Sequence, residues 1–248
     1  MSRIIVVSCN YNGNKFVKNC IKSVYDQTIK PDFHYFIDDI SSDGCLEHVY
    51  DTKEKLNIDY LNIIKNDEKK YKIRNLFELI NSQLIQDDDI IINLDGDDWL
   101  FNEKVIKEIK EAYENTEFDY LYSNFVFSHN YYLGISEEIP SDNWCPYRNS
   151  WITSHISTFK AKSFRNIKKE NFLDSEGNWF KMGCDQAYIL PILYNIKKEY
   201  KNYNKVGFLN KPLYVYNHLE NPSKPRDGKL GRIAHDAVTI IRKRGYLQ

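Results

Sequence analysis

The chain has 248 residues, with 34 Lys+Arg against 35 Asp+Glu and a formal net charge of -1. That balance excludes a protein built as a basic coat for nucleic acid, which would carry a positive footprint. With 42% apolar and 28% charged residues, the chain is too apolar for disorder. It is long enough to bury a core as one large domain.

No apolar run approaches the roughly 18 residues a membrane span requires, so none is expected. Met1 to Ser8 is too short an apolar stretch for a secretory leader and reads as a strand. The five cysteines are odd in number and lack CxxC spacing. A disulfide framework or structural zinc is therefore not expected, and reduced thiols in a cytoplasmic setting are.

In chain order, Ile4 to Cys9 is a continuous apolar run ending in Asn10-Tyr11-Asn12-Gly13, the pattern of a buried parallel strand entering a loop. Phe16, Val17, Cys20, Ile21, Val24 and Tyr25 recur at helical spacing, and Pro31 closes that segment. A second strand over 33–38 ends on Asp38-Asp39, and a third is expected over Ile58 to Ile64. Leu76, Leu79, Ile80 and Leu84 predict a helix following Arg74-Asn75. Ile90 to Leu94 is the clearest buried strand and runs into Asp95-Gly96-Asp97-Asp98. Asp87-Asp88-Asp89, on its other side, reads as a surface loop at the opposite edge.

A helix near 103–114 and an aromatic strand near 119–127 follow. Residues 142–151 read as a loop, and Gly183-Cys184-Asp185-Gln186 opens a helix to about 195 with Pro191 expected to kink it. Pro212 to His218 reads as a strand running into a Pro-rich loop at 221–228, and an amphipathic helix over 230–243 closes the chain. Alternating strands and helices over 1–115 predict an α/β fold with a mostly parallel sheet, followed by a less regular second half. Ligands of such sheets sit beyond the carboxyl ends of the strands. The polar clusters 8–12, 38–43 and 95–98 all fall there.

Three carboxylates at the end of a buried strand repel one another unless a cation or hydrogen-bond donors compensate them. Hard divalent ions with oxygen ligands, Mg²⁺ or Mn²⁺, suit Asp95, Asp97 and Asp98, and such ions commonly bridge phosphates. The plain alternative is a solvated acidic turn. Asp38-Asp39-Ile40-Ser41-Ser42-Asp43-Gly44 offers a carboxylate to a base or ribose, or simply an Asx-type turn.

Taken together, the motifs resemble those of family 2 glycosyltransferases of the GT-A fold. Val7 to Asn12 with Cys20 to Thr28 is similar to the opening strand and its Ser-x-x-x-Gln-Thr helix end. Ile37 to Gly44 matches an Asp-Asp-x-Ser-x-Asp-Gly turn, Arg74-Asn75 follows, and Leu94 to Asp98 matches the Asp-x-Asp metal motif. The match covers about residues 3–100, with Cys9 where the family usually has Pro.

The resemblance implies that Asn10, Tyr11, Asp38 and Asp39 hold the nucleotide, with Arg74 against the base or diphosphate. It places Asp95 and Asp98 near ribose and donor sugar, and Asp97 as the principal ligand of Mn²⁺ or Mg²⁺. Asp185 resembles the general base of an inverting transfer, although Cys184 stands where a first carboxylate is usual. A helix-start carboxylate that only favours the macrodipole is the plain reading, and Asp174 and Glu176 are the nearest rivals. His218 is implied as a further metal or diphosphate contact, and His155 as part of the acceptor pocket. Trp144, Tyr147, Trp151 and Trp179 are candidates to stack on sugar rings.

A single GT-A-like domain over 1–248 is therefore expected, with 1–127 binding a UDP- or GDP-linked sugar and 128–248 a glycan or glycoconjugate acceptor. Nucleic acid is not an expected partner. Two rivals stay open. A sugar-phosphate nucleotidyltransferase would be expected to carry a Gly-rich basic loop after the first strand, whereas Asn10 to Lys15 has one Gly and no basic cluster. An inactive sugar-binding module would not need Asp95, Asp97 and Asp185 together.

Overall fold

A computed structural model describes residues 2–217 and 228–247. An eight-stranded sheet runs through both halves of the chain. Its strands are β1 (Ile4–Asn10), β2 (Phe33–Asp38), β3 (Leu61–Lys65), β4 (Ile90–Asn93), β5 (Trp99–Leu100), β6 (Tyr120–Phe127), β7 (Ser157–Lys160) and β8 (Val206–Tyr216). The helices are α1 (Val17–Tyr25), α2 (Cys45–Leu56), α3 (Tyr71–Ile80), α4 (Val105–Asn115), α5 (Ala161–Arg165), α6 (Cys184–Tyr200) and α7 (Gly228–Arg244).

The spatial order is β3-β2-β1-β4-β7-β6-β8-β5. β1 pairs in parallel with β2 on one side and with β4 on the other. The chain thus winds in both directions away from β1, and a crevice opens at the carboxyl ends of β1 and β4. β7 then runs antiparallel between β4 and β6, which joins the second half to the first.

Apolar side chains alternate across the sheet because successive residues of a strand face opposite ways. Ile4 and Val6 enter a core with Cys20 and Val24 of α1 and Val105, Ile106 and Ile109 of α4. Ile5 and Val7 enter the opposite core with Ile73, Leu76, Leu79 and Ile80 of α3 and Ala187, Tyr188 and Leu190 of α6. Both faces are covered, so β1 is apolar over Ile4–Val7, and its polar residues Ser8 and Asn10 fall toward the carboxyl end. Each such aliphatic side chain contributes about 1.5–3 kcal/mol relative to exposure.

Several boundaries differ from the sequence expectation. α3 begins at Tyr71, so Arg74 and Asn75 lie inside the helix instead of preceding it. The third strand starts at Leu61, three residues later than expected. The helix opened by Cys184 continues through Pro191 to Tyr200. β8 begins at Val206, well before Pro212, and its register against β6 shifts near Asn124.

Asp89 also departs from a simple surface loop. It is buried, and its carboxylate accepts Arg3 Nε at 2.8 Å and the Gln86 amide at 2.6 Å. The pair ties the start of β1 to the start of β4. Asp89→Ala should lower stability by roughly 1–3 kcal/mol, the range for charge-assisted hydrogen bonds. A urea midpoint equal to that of the parent would show that the tie contributes nothing.

Candidate active site

The carboxyl ends of β1, β2 and β4 meet the start of α6 around a cleft of about 600 Å³. Asn10, Tyr11, Asp39, Asp95, Asp97 and Asp185 line it, together with Lys69, Lys72 and Lys181. Acidic and cationic groups therefore face one another across a single cavity.

Asn10 ends β1 and is held on all sides. Its Nδ2 donates to Cys45 Sγ at 3.1 Å and to Asp38 Oδ1 at 3.4 Å. A Cβ on Gly13 would lie 2.1 Å from Asn10 Oδ1, and one on Gly96 would lie 2.7 Å from Asn10 Cβ. Only glycine at these two positions lets the first loop and the Asp95–Asp98 turn close on each other. Asp38 accepts the Ser41 amide at 3.1 Å and so fixes its own turn.

Asp39 pins the start of α3. Its Oδ1 accepts the Lys70 amide and Asn66 Nδ2, both at 2.8 Å, and its Oδ2 accepts the Tyr71 amide at 2.9 Å. Lys69 Nζ adds an ion pair at 3.3 Å. Burial works against ionisation, but the Lys70 amide, Asn66 and Lys69 outweigh it and hold the Asp39 carboxyl below its ordinary value. Lys69 also sits over the Tyr11 ring, a cation–π contact that joins the first loop to this corner.

Asp98 is fully buried and is not among the cleft-lining residues; Tyr214 Oη donates to its Oδ2 at 2.7 Å and the Asn217 amide to its Oδ1 at 2.8 Å. The same Tyr214 hydroxyl accepts the Asp95 amide at 3.2 Å. Asp95 and Asp97 line the cleft. Carboxylate oxygens of Asp95, Asp97 and Asp98 lie within 4.8 Å of one another, an all-oxygen donor set that fits a hard divalent cation.

Asp185 is the second residue of α6, whose N-cap, Gly183, is in the left-handed conformation. Lys72 Nζ donates to Asp185 Oδ1 at 2.8 Å and stands 2.6 Å from Asp95 Oδ1. Burial opposes the ammonium, yet Asp185 and Asp95 outweigh it and hold Lys72 charged, its pKa well above the ordinary lysine value. Cys184, beside it, is buried and its thiol is pushed up to about 12, so it stays protonated.

The structure gathers most of the sequence candidates, with exceptions. Arg74 pairs with Glu68 and Glu78, each at 2.7 Å, and is not among the cleft residues. Lys69, Lys72 and Lys181 supply the cations there instead. The sequence signal for Lys69 and Lys72 is the basic run Lys69-Lys70-Tyr71-Lys72 at a helix start, where cations are disfavoured and need partners, and Lys181 lies outside that run. His155 lines the cleft, its ring stacked on Tyr214 and Tyr216 at 4.8 and 5.3 Å. Trp144 and Tyr147 are buried in the core, and Trp179 packs on Phe77 and Phe172. Asp174 accepts the Glu176 and Asn178 amides in a turn outside the cleft. His218 lies outside the described residues.

The model of glycosyl transferase family 2 matches residues 4–172. The chain belongs to that family. Solved structures with the same GT-A fold include Staphylococcus aureus TarS 1-349, at TM-score 0.63 and 17% identity over 87% of this chain and 60% of that one. Glucosyl-3-phosphoglycerate synthase from Mycobacterium tuberculosis, in complex with Mn²⁺, UDP and phosphoglyceric acid, aligns at TM-score 0.62 and 10% identity. That alignment covers 100% of this chain and 80% of the synthase. A mannosyltransferase from Pyrobaculum calidifontis, in complex with GDP-Man and Mn²⁺, aligns at 0.59 and 12% identity over 89% and 58%. The chain thus spans about 60% of the length of the TarS segment it matches. No curated protein matches it by sequence. No helix among the described residues is long and apolar enough to cross a membrane.

Asp39 makes stability depend on pH in a stated direction. The folded state holds its pKa below the unfolded value, so the contribution is complete above about pH 4 and is lost as pH falls through the lowered value. Asp39→Asn should be less stable than the parent at pH 7 by roughly 1–3 kcal/mol. Urea unfolding at pH 7 and pH 3 should show this gap narrowing at the lower pH. An equal gap at both would mean that the charge is irrelevant.

Proposed function

We propose that the protein is an inverting glycosyltransferase that moves a sugar from a UDP- or GDP-linked donor to a hydroxyl of a glycan or glycoconjugate. The observation that carries this reading is the placement of Asp185 across one cleft from the Asp95–Asp98 turn, with Lys72 between them. Family membership and fold neighbours solved with UDP-GlcNAc or with GDP-Man and Mn²⁺ support the donor class.

In this reading Tyr11 and the loops fixed by Asn10, Asp38 and Asp39 form the nucleotide side, over residues 1–127. Residues 128–248 bring the acceptor to the start of α6. A divalent cation, Mn²⁺ or Mg²⁺, held by Asp97 with Asp95 beside it, would supply positive charge opposite the departing diphosphate. Asp98 is the buried brace of that turn. Asp185 takes the proton of the acceptor hydroxyl as its oxygen attacks the anomeric carbon. The bond to the diphosphate oxygen breaks with its electron pair on the leaving group, and the anomeric configuration inverts. The first turn of a helix favours the ionised carboxylate this role needs.

Two variants test the assignment. Calorimetry should show that Asp97→Asn loses Mn²⁺-dependent affinity for UDP or GDP, while parental affinity in excess Mn²⁺ would sink the metal role. Asp185→Asn should keep donor affinity and lower kcat by roughly 10²- to 10⁴-fold. Proton NMR of the product should show inversion, and retention would exclude the single displacement.

A further inference from the structure

Lys72 stands where a helix does not favour a cation. It is the second residue of α3, in the first turn, where the helix dipole already places partial positive charge, and Lys69 and Lys70 precede it. Two carboxylates from distant parts of the chain account for it. Asp95 Oδ1 lies 2.6 Å and Asp185 Oδ1 2.8 Å from its Nζ, with the Lys72 side chain 16% exposed. One carboxylate follows β4 on the donor side, and the other opens α6 on the acceptor side. Without the ammonium these like charges would face each other across a narrow gap.

We propose that Lys72 is a positioning residue of the transfer reaction. By bridging Asp95 and Asp185 it sets the spacing between the two sides of the cleft and aims Asp185 at the acceptor hydroxyl. This rests on the reading of Asp185 as the base. Its geometry suits the task because the ammonium donates one hydrogen bond to Asp185 while its charge stands 2.6 Å from Asp95, so one cation holds two carboxylates that must not drift apart or collapse together. A displacement of about 1 Å in such a group can cost on the order of 10²-fold in rate.

Lys72→Met keeps the length and the apolar stem but removes the bridge. Its kcat should fall roughly 10- to 100-fold while the donor KM stays within about threefold. Lys72→Arg should recover part of the loss, since a guanidinium can also bridge two carboxylates. A second readout is independent of turnover. Lys72→Met should lower the Tm, and adding Asp95→Asn and Asp185→Asn should restore it, because neutral side chains no longer repel. Unchanged kcat in Lys72→Met, or a loss confined to donor KM, overturns the proposal. So does a Tm deficit that the two neutralising changes leave intact. A wild-type protein that turns over no nucleotide sugar removes Asp185 as base, and the proposal falls with it. Parental turnover in an active Lys72→Met enzyme removes the proposal alone.

Discussion

Carboxylates crowd the carboxyl edge of this sheet, and the need to compensate each of them organises the residues around the cleft. A buried carboxylate without partners shifts its pKa and neutralises, or destabilises the fold. The chain uses a different partner at each position. Asp39 takes backbone amides at the start of α3, and Asp38 takes the Ser41 amide in its own turn. Asp98 takes a phenol and an amide from β8 and the residue after it. Asp95 and Asp185 share one ammonium. These partners come from α3 and β8 as well as from the loops, so the cleft is assembled only when the whole sheet is.

The loops approach so closely that side-chain volume becomes the second constraint. Gly13 and Gly96 leave room for the Asn10 side chain, which in turn reaches Cys45 and Asp38. Ile40 shows the strain this packing holds. It is a β-branched residue at φ 59°, a conformation that costs an L-residue about 1–2 kcal/mol. It persists because the chain is pinned on both sides. The Asp39 amide donates to the Asn10 carbonyl, and the Ser41 amide to the Asp38 carboxylate.

The strands that position the site were legible because their signal is local. Ile4 to Val7 and Ile90 to Ile92 are apolar at every position, which only a strand covered on both faces requires. The turns at Asp38–Gly44 and Asp95–Asp98 were legible as motifs. α2 has little sequence signal because its inward face is narrow, with only Cys45 and Val49 buried. β7 is a short strand, Ser-Thr-Phe-Lys, whose polar ends resemble a loop; its neighbours in the sheet make it a strand. Arg74 fitted a motif, yet Glu68 and Glu78 hold it elsewhere. Lys72 carried no motif, because the carboxylates that give it meaning lie far along the chain.

The two halves of the cleft differ in how they are specified. The family model ends at residue 172, and side chains that line the site from the far side lie beyond it: Lys181, Asp185 and Tyr216. Their placement depends on how α6 and α7 pack. At Gly183, φ is 69°, and a Cβ would lie 3.1 Å from Val238 Cγ2 of α7. The last helix therefore packs closely on the glycine that caps α6, two residues before Asp185. Arg242 of α7 reinforces this, donating through Nε to Gln186 Oε1 at 2.7 Å, one residue past Asp185. The other side is fixed by the loops that follow β1, β2 and β4, held by Asn10, Asp38 and Asp39. The α6 side is fixed by a helix-on-helix contact, the kind of contact that can change its side chains without disturbing β1, β2 or β4.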